Sequence, residues 1–313
     1  MRLLAVLFLL TALTGCKPTH TASATTKEAA SLLEARGDFT TRLKRRDHAN
    51  DAVPQPPEDM FRIVRYTSPA GELSAYVTPP KEDNAKHPAI IWLFGGFSNG
   101  IGETAWEDAP TENDQSARAF REAGIVMMYP SLRGGNKNPG VREGFYGEVN
   151  DVLAARDFLS RQPNVDPERI YLGGHSTGGT LALLVAASSD RFRAVFSFGP
   201  VDEVVNYGQE VLPFDITDTK EADFRAPIKW LDSIHNPTFV FEGGDKQGNI
   251  GSLRVLAKAN RNPVIHIEPV PGTNHFSVLA PVTRVLARKI VEDNGPTSII
   301  KIDAKDLQVA VKP

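Results

Sequence analysis

From residue 61 onward the chain alternates short apolar runs with longer amphipathic or apolar stretches. Residues 61–66 and 73–77 flank Ser68-Pro69-Ala70-Gly71 and read as an antiparallel hairpin that ends at Pro79-Pro80. Strand-like runs follow at 89–94, 125–129, 170–172, 194–198, 238–241 and 264–267. Between and after them, helical segments are expected at 112–123, 147–161, 178–188, 250–260 and 281–293, the last carrying Val282, Val285, Leu286 and Ile290 on one face. Strands that are apolar on both faces and alternate with helices specify an α/β class: a mostly parallel sheet covered on both sides, with the opening hairpin as its antiparallel edge.

Outside this region the pattern changes. Met1-Arg2 and the apolar run to Leu13 form a charged n-region and an h-region too short to span a bilayer, so residues 1–15 read as a signal peptide. The run ends in Leu13-Thr14-Gly15-Cys16, which resembles the lipobox of bacterial lipoproteins, and Cys16 is the only cysteine in the chain. That resemblance implies a lipidated Cys16 and, with Lys17 after it, an outer-membrane location facing the periplasm. Residues 16–53 are Thr-, Ala- and Ser-rich and then charged, and read as a tether with one short helix near 27–35. The folded domain is expected over 54–295, enough chain for one core. A tail at 296–313 carries an Ile299-Ile300-Lys301-Ile302 alternation suited to an edge strand or a partner contact. A net charge of −3 and a pI near 6.2 give no basic footprint for nucleic acid, and no zinc pattern or cofactor-binding motif is present.

The chemistry centres on Gly174-His175-Ser176-Thr177-Gly178, which fits G-x-S-x-G between an apolar strand and the small-residue helix from Gly179 to Ser188. In that arrangement a serine sits at a strained strand-to-helix turn and glycines leave room for the neighbouring backbone. The order of signals is broader than this motif. An apolar strand ending in Gly95-Gly96, then Tyr129-Pro130-Ser131-Leu132-Arg133-Gly134-Gly135, then the segment 147–155, then Asp166-Pro167-Glu168-Arg169 and the elbow resembles an α/β-hydrolase. More narrowly it resembles the catalytic domain of the prolyl oligopeptidase family and its dienelactone-hydrolase-like relatives. The resemblance implies a serine hydrolase acting on ester or peptide bonds, with no cofactor and a Ser-Asp-His triad in that chain order.

A serine hydroxyl needs a base, and the base needs an acid to orient it. Of the seven histidines, His20 and His48 fall in the tether, His87 and His235 precede strands, His175 is inside the elbow and His266 lies in a strand expected to be buried. His275, in the loop before the last helix, remains as the base. The resemblance places the acid in the loop after the 238–241 strand, where Asp245 is the first choice and Glu242 the next, with Asp202, in the loop after the preceding strand, third. The oxyanion donors are expected to be the backbone N–H of Thr177 and one from Gly96 or Phe97. Several peptidases of the family use a tyrosine hydroxyl near this loop, and Phe94 stands in that region without a donor. Arg133 and Asp151 read as scaffold, Asp151 as a helix-surface carboxylate. A small ester or short peptide is the expected substrate, and the membrane, through Cys16, the expected partner.

Overall fold

The computed structural model describes residues 30–245 and 248–311, so the signal sequence, Cys16 and Lys17 lie outside the described residues. Eight strands form one sheet: β1 (Arg62–Ser68), β2 (Gly71–Val77), β3 (His87–Leu93), β4 (Val126–Pro130), β5 (Val165–His175), β6 (Val195–Phe198), β7 (Thr238–Gly243) and β8 (Ile265–Val270). Their spatial order is β1-β2-β4-β3-β5-β6-β7-β8. The β1–β2 and β2–β4 pairs are antiparallel and the rest are parallel. The helices are α1 (Leu32–Arg36), α2 (Ala119–Glu122), α3 (Glu148–Ser160), α4 (Thr177–Ala186), α5 (Thr219–Asp223), α6 (Ile250–Ala259), α7 (Leu279–Glu292) and α8 (Ala304–Val311).

Alternation along the strands divides the core into two layers. Ile91 and Leu93 of β3 join Leu172, Val149, Leu183 and Leu253 on the face covered by α3, α4 and α6. Ile90 and Trp92 join Tyr171, Phe196, Val282 and Leu286 on the face covered by α2 and α7. Each such side chain contributes about 1.5–3 kcal/mol through burial, so the two layers leave little latitude in strand register.

Several expectations are corrected. The 112–123 helix shrinks to a short 3₁₀ turn at Thr111–Asn113 and the single turn of α2, because between those turns Asp114 accepts from Ser116 and Arg118, and Arg118 also donates to the Asp108 carboxylate and the Ala109 carbonyl. The strand expected at 170–172 is longer, since β5 runs from Val165 through Asp166-Pro167-Glu168 to His175. Asp151 is fully buried rather than on a helix surface: it accepts from Ser68 Oγ and binds Arg133 through the backbone N–H and the guanidinium. His266 lies in β8 but its side chain is exposed.

The tether expected over 16–53 is, from Ala30, a strap packed on the domain. The Leu32 N–H bonds the Ala187 carbonyl, Leu43 bridges Phe214, and Asp47 pairs with Arg142 at 2.6 Å. Arg36 is 4% exposed and donates to the carbonyls of Phe145, Tyr146 and Phe224. The tail is likewise anchored. Asp293 receives Arg193, Tyr171 and the Ile299 N–H; although burial pushes its carboxyl up, these partners prevail and hold it down at about 2. Ile300 and Leu307 are buried against the α7 side of the sheet, so the 299–302 segment serves as a core contact and not as an edge strand.

Candidate active site

Ser176 is the turn between β5 and α4, at φ 57° and ψ −116°. A non-glycine residue with positive φ is uncommon and costs on the order of 1–3 kcal/mol, so the surrounding structure must impose it. Here the Ser176 N–H bonds the Phe198 carbonyl at 2.7 Å and its carbonyl accepts the Thr180 N–H at 2.9 Å. The flanking glycines are steric necessities. A Cβ on Gly174 would lie 2.5 Å from the Gly178 oxygen, one on Gly178 2.2 Å from the Leu93 oxygen, and one on Gly179 2.4 Å from the Phe198 oxygen.

His275 follows β8 in the loop before α7, and its Nδ1–H donates to Glu242 Oε2 at 2.8 Å. Glu242, near the end of β7, is fully buried and also accepts the N–H groups of Gly243 and Asn249 at 2.7 and 3.0 Å. This tautomer leaves Nε2 of His275 as the proton acceptor. The acid partner of the histidine is therefore Glu242, not Asp245. The physical reason is the path of the backbone: β7 runs on to Gly243, Gly244 N–H bonds the Val270 carbonyl, and Asp245 N–H bonds the Thr273 carbonyl. Asp245 is thereby carried past the histidine and is exposed, while the longer Glu242 side chain reaches it from the strand. Asp202 is occupied elsewhere, accepting from Asn206 and from Ser252 Oγ at 2.6 Å.

Three residues near the histidine escaped sequence reasoning. His175 is 1% exposed, its Nε2–H donates to the His275 carbonyl at 2.9 Å, and the two rings lie 4.5 Å apart. Burial, reinforced by the neighbouring His275, pushes the His175 imidazole down to about 3, so it is neutral wherever a histidine base works. Gly199, at φ 59°, leaves room for the base: a Cβ there would sit 2.5 Å from His275 Cε1 and 2.9 Å from Glu242 Oε2. Gly248, at φ 96°, does the same against His275 Cβ at 2.7 Å. A glycine directly after an apolar strand was the only available signal for Gly199, and nothing in the local pattern distinguished it from an ordinary turn.

The 94–100 loop closes over the elbow. Thr177 Oγ1 donates to the Gly96 carbonyl at 2.6 Å, and a Cβ on Gly95 would lie 3.2 Å from Ser176 Cβ. Thr177 opens α4, so helix geometry leaves its N–H without an intrahelical acceptor, and Gly96 and Phe97 are brought beside it. Gly96 is exposed at φ 97°, with open space where a Cβ would be. Phe94 stacks on Tyr129 at 4.9 Å and 5°. Phe97, Phe145, Leu132 and Leu181 line a small cavity of about 50 Å³ beside Thr177. Tyr207 backs this wall, edge-on to Phe97 and stacked on Phe145. The 143–146 turn of the wall is held by buried Glu148, whose carboxylate accepts the N–H groups of Glu143, Gly144 and Tyr146.

Comparison with known proteins agrees with this architecture. Residues 112–243 match the model of the prolyl oligopeptidase family. An uncharacterised protein of Mycobacterium tuberculosis is 28% identical over 190 residues, covering 59% of this chain and 66% of that protein. Dipeptidyl-peptidase 5 of Porphyromonas gingivalis is 31% identical over 142 residues, covering 43% of this chain but 20% of the peptidase. Among solved structures, the uncomplexed acylaminoacyl peptidase of Pyrococcus horikoshii superposes with a TM-score of 0.61 at 15% identity, over 79% of this chain and 44% of that one. A serine hydrolase without lid from Xanthomonas campestris superposes with a TM-score of 0.51 at 21% identity, over 78% of this chain and 99% of that one. The matched region thus spans a minor part of the large peptidases and nearly the whole of the lidless hydrolase. The chain is an α/β-hydrolase-fold protein whose central segment matches the prolyl oligopeptidase family.

Proposed function

We propose that the protein is a serine hydrolase that cleaves ester or amide bonds through an acyl-enzyme, with Ser176, His275 and Glu242 as its triad. The observation that carries this reading is the Glu242–His275 bond, together with a serine held at positive φ at the head of a helix whose preceding residue, His175, bonds the His275 carbonyl. Ser176 Oγ attacks the substrate carbonyl while His275 Nε2 takes its proton. The resulting oxyanion faces the N–H of Thr177 and one from Gly96 or Phe97. Collapse expels the alcohol or amine, which receives the proton from His275. Water, deprotonated by the same histidine, then releases the acid and restores the serine. Buried Glu242 fixes the histidine tautomer and stabilises the imidazolium. Among the described residues no group of carboxylates, cysteines or histidines is arranged to hold a metal, and no step above calls for one.

Within this class Phe94 favours esters over peptides. Its ring lies flat on Tyr129 beside the oxyanion loop and offers no hydroxyl to a tetrahedral intermediate. Ser176→Ala is expected to lower kcat on activated acyl esters by at least about 1000-fold, with dipeptide amides assayed in parallel to separate esterase from peptidase. Wild-type-like turnover by Ser176→Ala would overturn the assignment.

The same reading extends to location. The Leu13-Thr14-Gly15-Cys16 sequence supports a lipid anchor on Cys16 in the bacterial envelope. One acyl chain binds a membrane only marginally and several bind it stably. Cys16→Ser is therefore expected to move the protein from the membrane to the soluble fraction, and unchanged partitioning would refute the anchor.

A further inference from the structure

Along the 94–102 loop, sharing Phe94, Gly95, Ser98 and Gly100 with the small aromatic cavity, lies a second cavity of about 280 Å³. Its walls include Phe94, Gly95, Ile101 and Gln115, and among the described residues no lysine or arginine lines it. Gly95 borders the reacting serine, since a Cβ on it would meet Ser176 Cβ at 3.2 Å. Among the described residues the one ionisable side chain on the cavity is Asp51, delivered by the end of the N-terminal strap.

Asp51 is held in place. Asn136, 1% exposed and at φ 47°, donates through Nδ2 to Asp51 Oδ2 at 3.0 Å and to the Ile101 carbonyl. Its Oδ1 accepts from the Ile101 N–H at 2.9 Å and from Ser131 Oγ at 2.8 Å. Asn138 in turn donates to Ser131 Oγ. Upstream, the Ala49 N–H bonds the Gly134 carbonyl, and Asp47 pairs with Arg142. The carboxylate is thus fixed at one oxygen by a buried amide network, and among the described residues it belongs to no ion pair. A fixed, uncompensated carboxylate on an otherwise uncharged cavity next to a nucleophile is a counter-charge for a substrate cation, with Phe94 and Ile101 to cover an alkyl stem.

We propose that this cavity is a substrate subsite for a positively charged group, an ammonium or guanidinium, and that Asp51 is its specificity-determining residue. The inference rests on the proposed hydrolase reading, and one carboxylate at a solvent-facing edge is expected to give modest discrimination, roughly 3- to 10-fold.

The test compares full-length wild type with Asp51→Asn on matched ester pairs of equal shape. One pair carries a trimethylammonium or a tert-butyl group on the alcohol, and a second carries a lysyl or 2-aminoheptanoyl acyl group. In the wild type the cationic member of at least one pair should have the higher kcat/KM by roughly 3- to 10-fold, through KM, with the preference shrinking at high salt. In Asp51→Asn the ratio should fall to about one. Equal kcat/KM within both pairs in the wild type, or a cationic preference that survives in Asp51→Asn, would overturn the subsite while leaving the hydrolase assignment standing. If no ester is turned over, the unreactive ether analogue of the cationic ester, titrated against the Ser176→Ala and Asp51→Asn proteins, reads the cavity directly. Binding that is the same with and without the Asp51 carboxylate, or no binding at all, refutes the proposal.

Discussion

The acid of the site turns on where a strand stops. Glu242 sits on β7 and receives three N–H donors, from Gly243, Asn249 and His275, inside a fully buried pocket, whereas Asp245 lies beyond the next turn and is exposed. Bonds to two backbone amides keep the carboxylate aimed at the histidine. Glu242→Gln should therefore lower kcat by about 100- to 10,000-fold, because the wrong histidine tautomer is stabilised, while Asp245→Asn should stay within about twofold. Steady-state rates of the two variants on one activated ester check this, and the reverse ranking would return the acid to Asp245. Ser176 and His275 could be singled out because each is marked by its local chain context, a glycine-flanked serine between strand and helix and a histidine between the last strand and the helix that follows it. Glu242 was legible only as an alternative. Choosing it required knowing that β7 extends to Gly243 and that Gly244 and Asp245 pair with the backbone near the end of β8, which are tertiary facts. His175, set aside as too close in sequence to serve as base, holds that base through its backbone carbonyl instead.

At the scale of elements, the pocket wall depends on cations that come from far along the chain. The carbonyls of residues 143–146 accept from Arg225 and from Arg36, and Arg36 is carried by α1 of the strap. Arg225 is itself fully buried against Glu221 at 2.5 Å. Arg36→Ala removes the donor to the Phe145, Tyr146 and Phe224 carbonyls together. It should lower stability by about 2–3 kcal/mol, since buried acceptors lose their partner, and should raise KM as the Phe145 side of the cavity loosens. Denaturant unfolding and steady-state kinetics measure both effects, and an unchanged midpoint would show that the strap is not needed there. The strap was illegible in sequence because its composition is that of a linker. Its order comes from a few anchors, Leu32, Arg36, Phe39 and Asp47, each meeting a partner more than 90 residues away. The sheet, in contrast, was legible strand by strand, because burial on both faces leaves uninterrupted apolar runs and the helices between them enforce parallel order.

Taken whole, the described residues form an eight-stranded α/β-hydrolase-fold core with an N-terminal strap and a C-terminal segment packed on it, and the chain spans 44% of one large peptidase and 20% of another. Ser176, the neutral His175 beside His275 and the two cavities all gather around the 94–102 loop and the C-terminal ends of the parallel strands, where ligands bind in open α/β sheets. The central claim is that Ser176 is an activated nucleophile. Labelling of the folded full-length protein with a fluorophosphonate, followed by peptide mapping, tests it most directly, because such a probe forms a stable adduct only with a serine whose proton is being withdrawn. The account predicts a single adduct, on Ser176. No adduct on the folded protein, or an adduct on another serine, would contradict it.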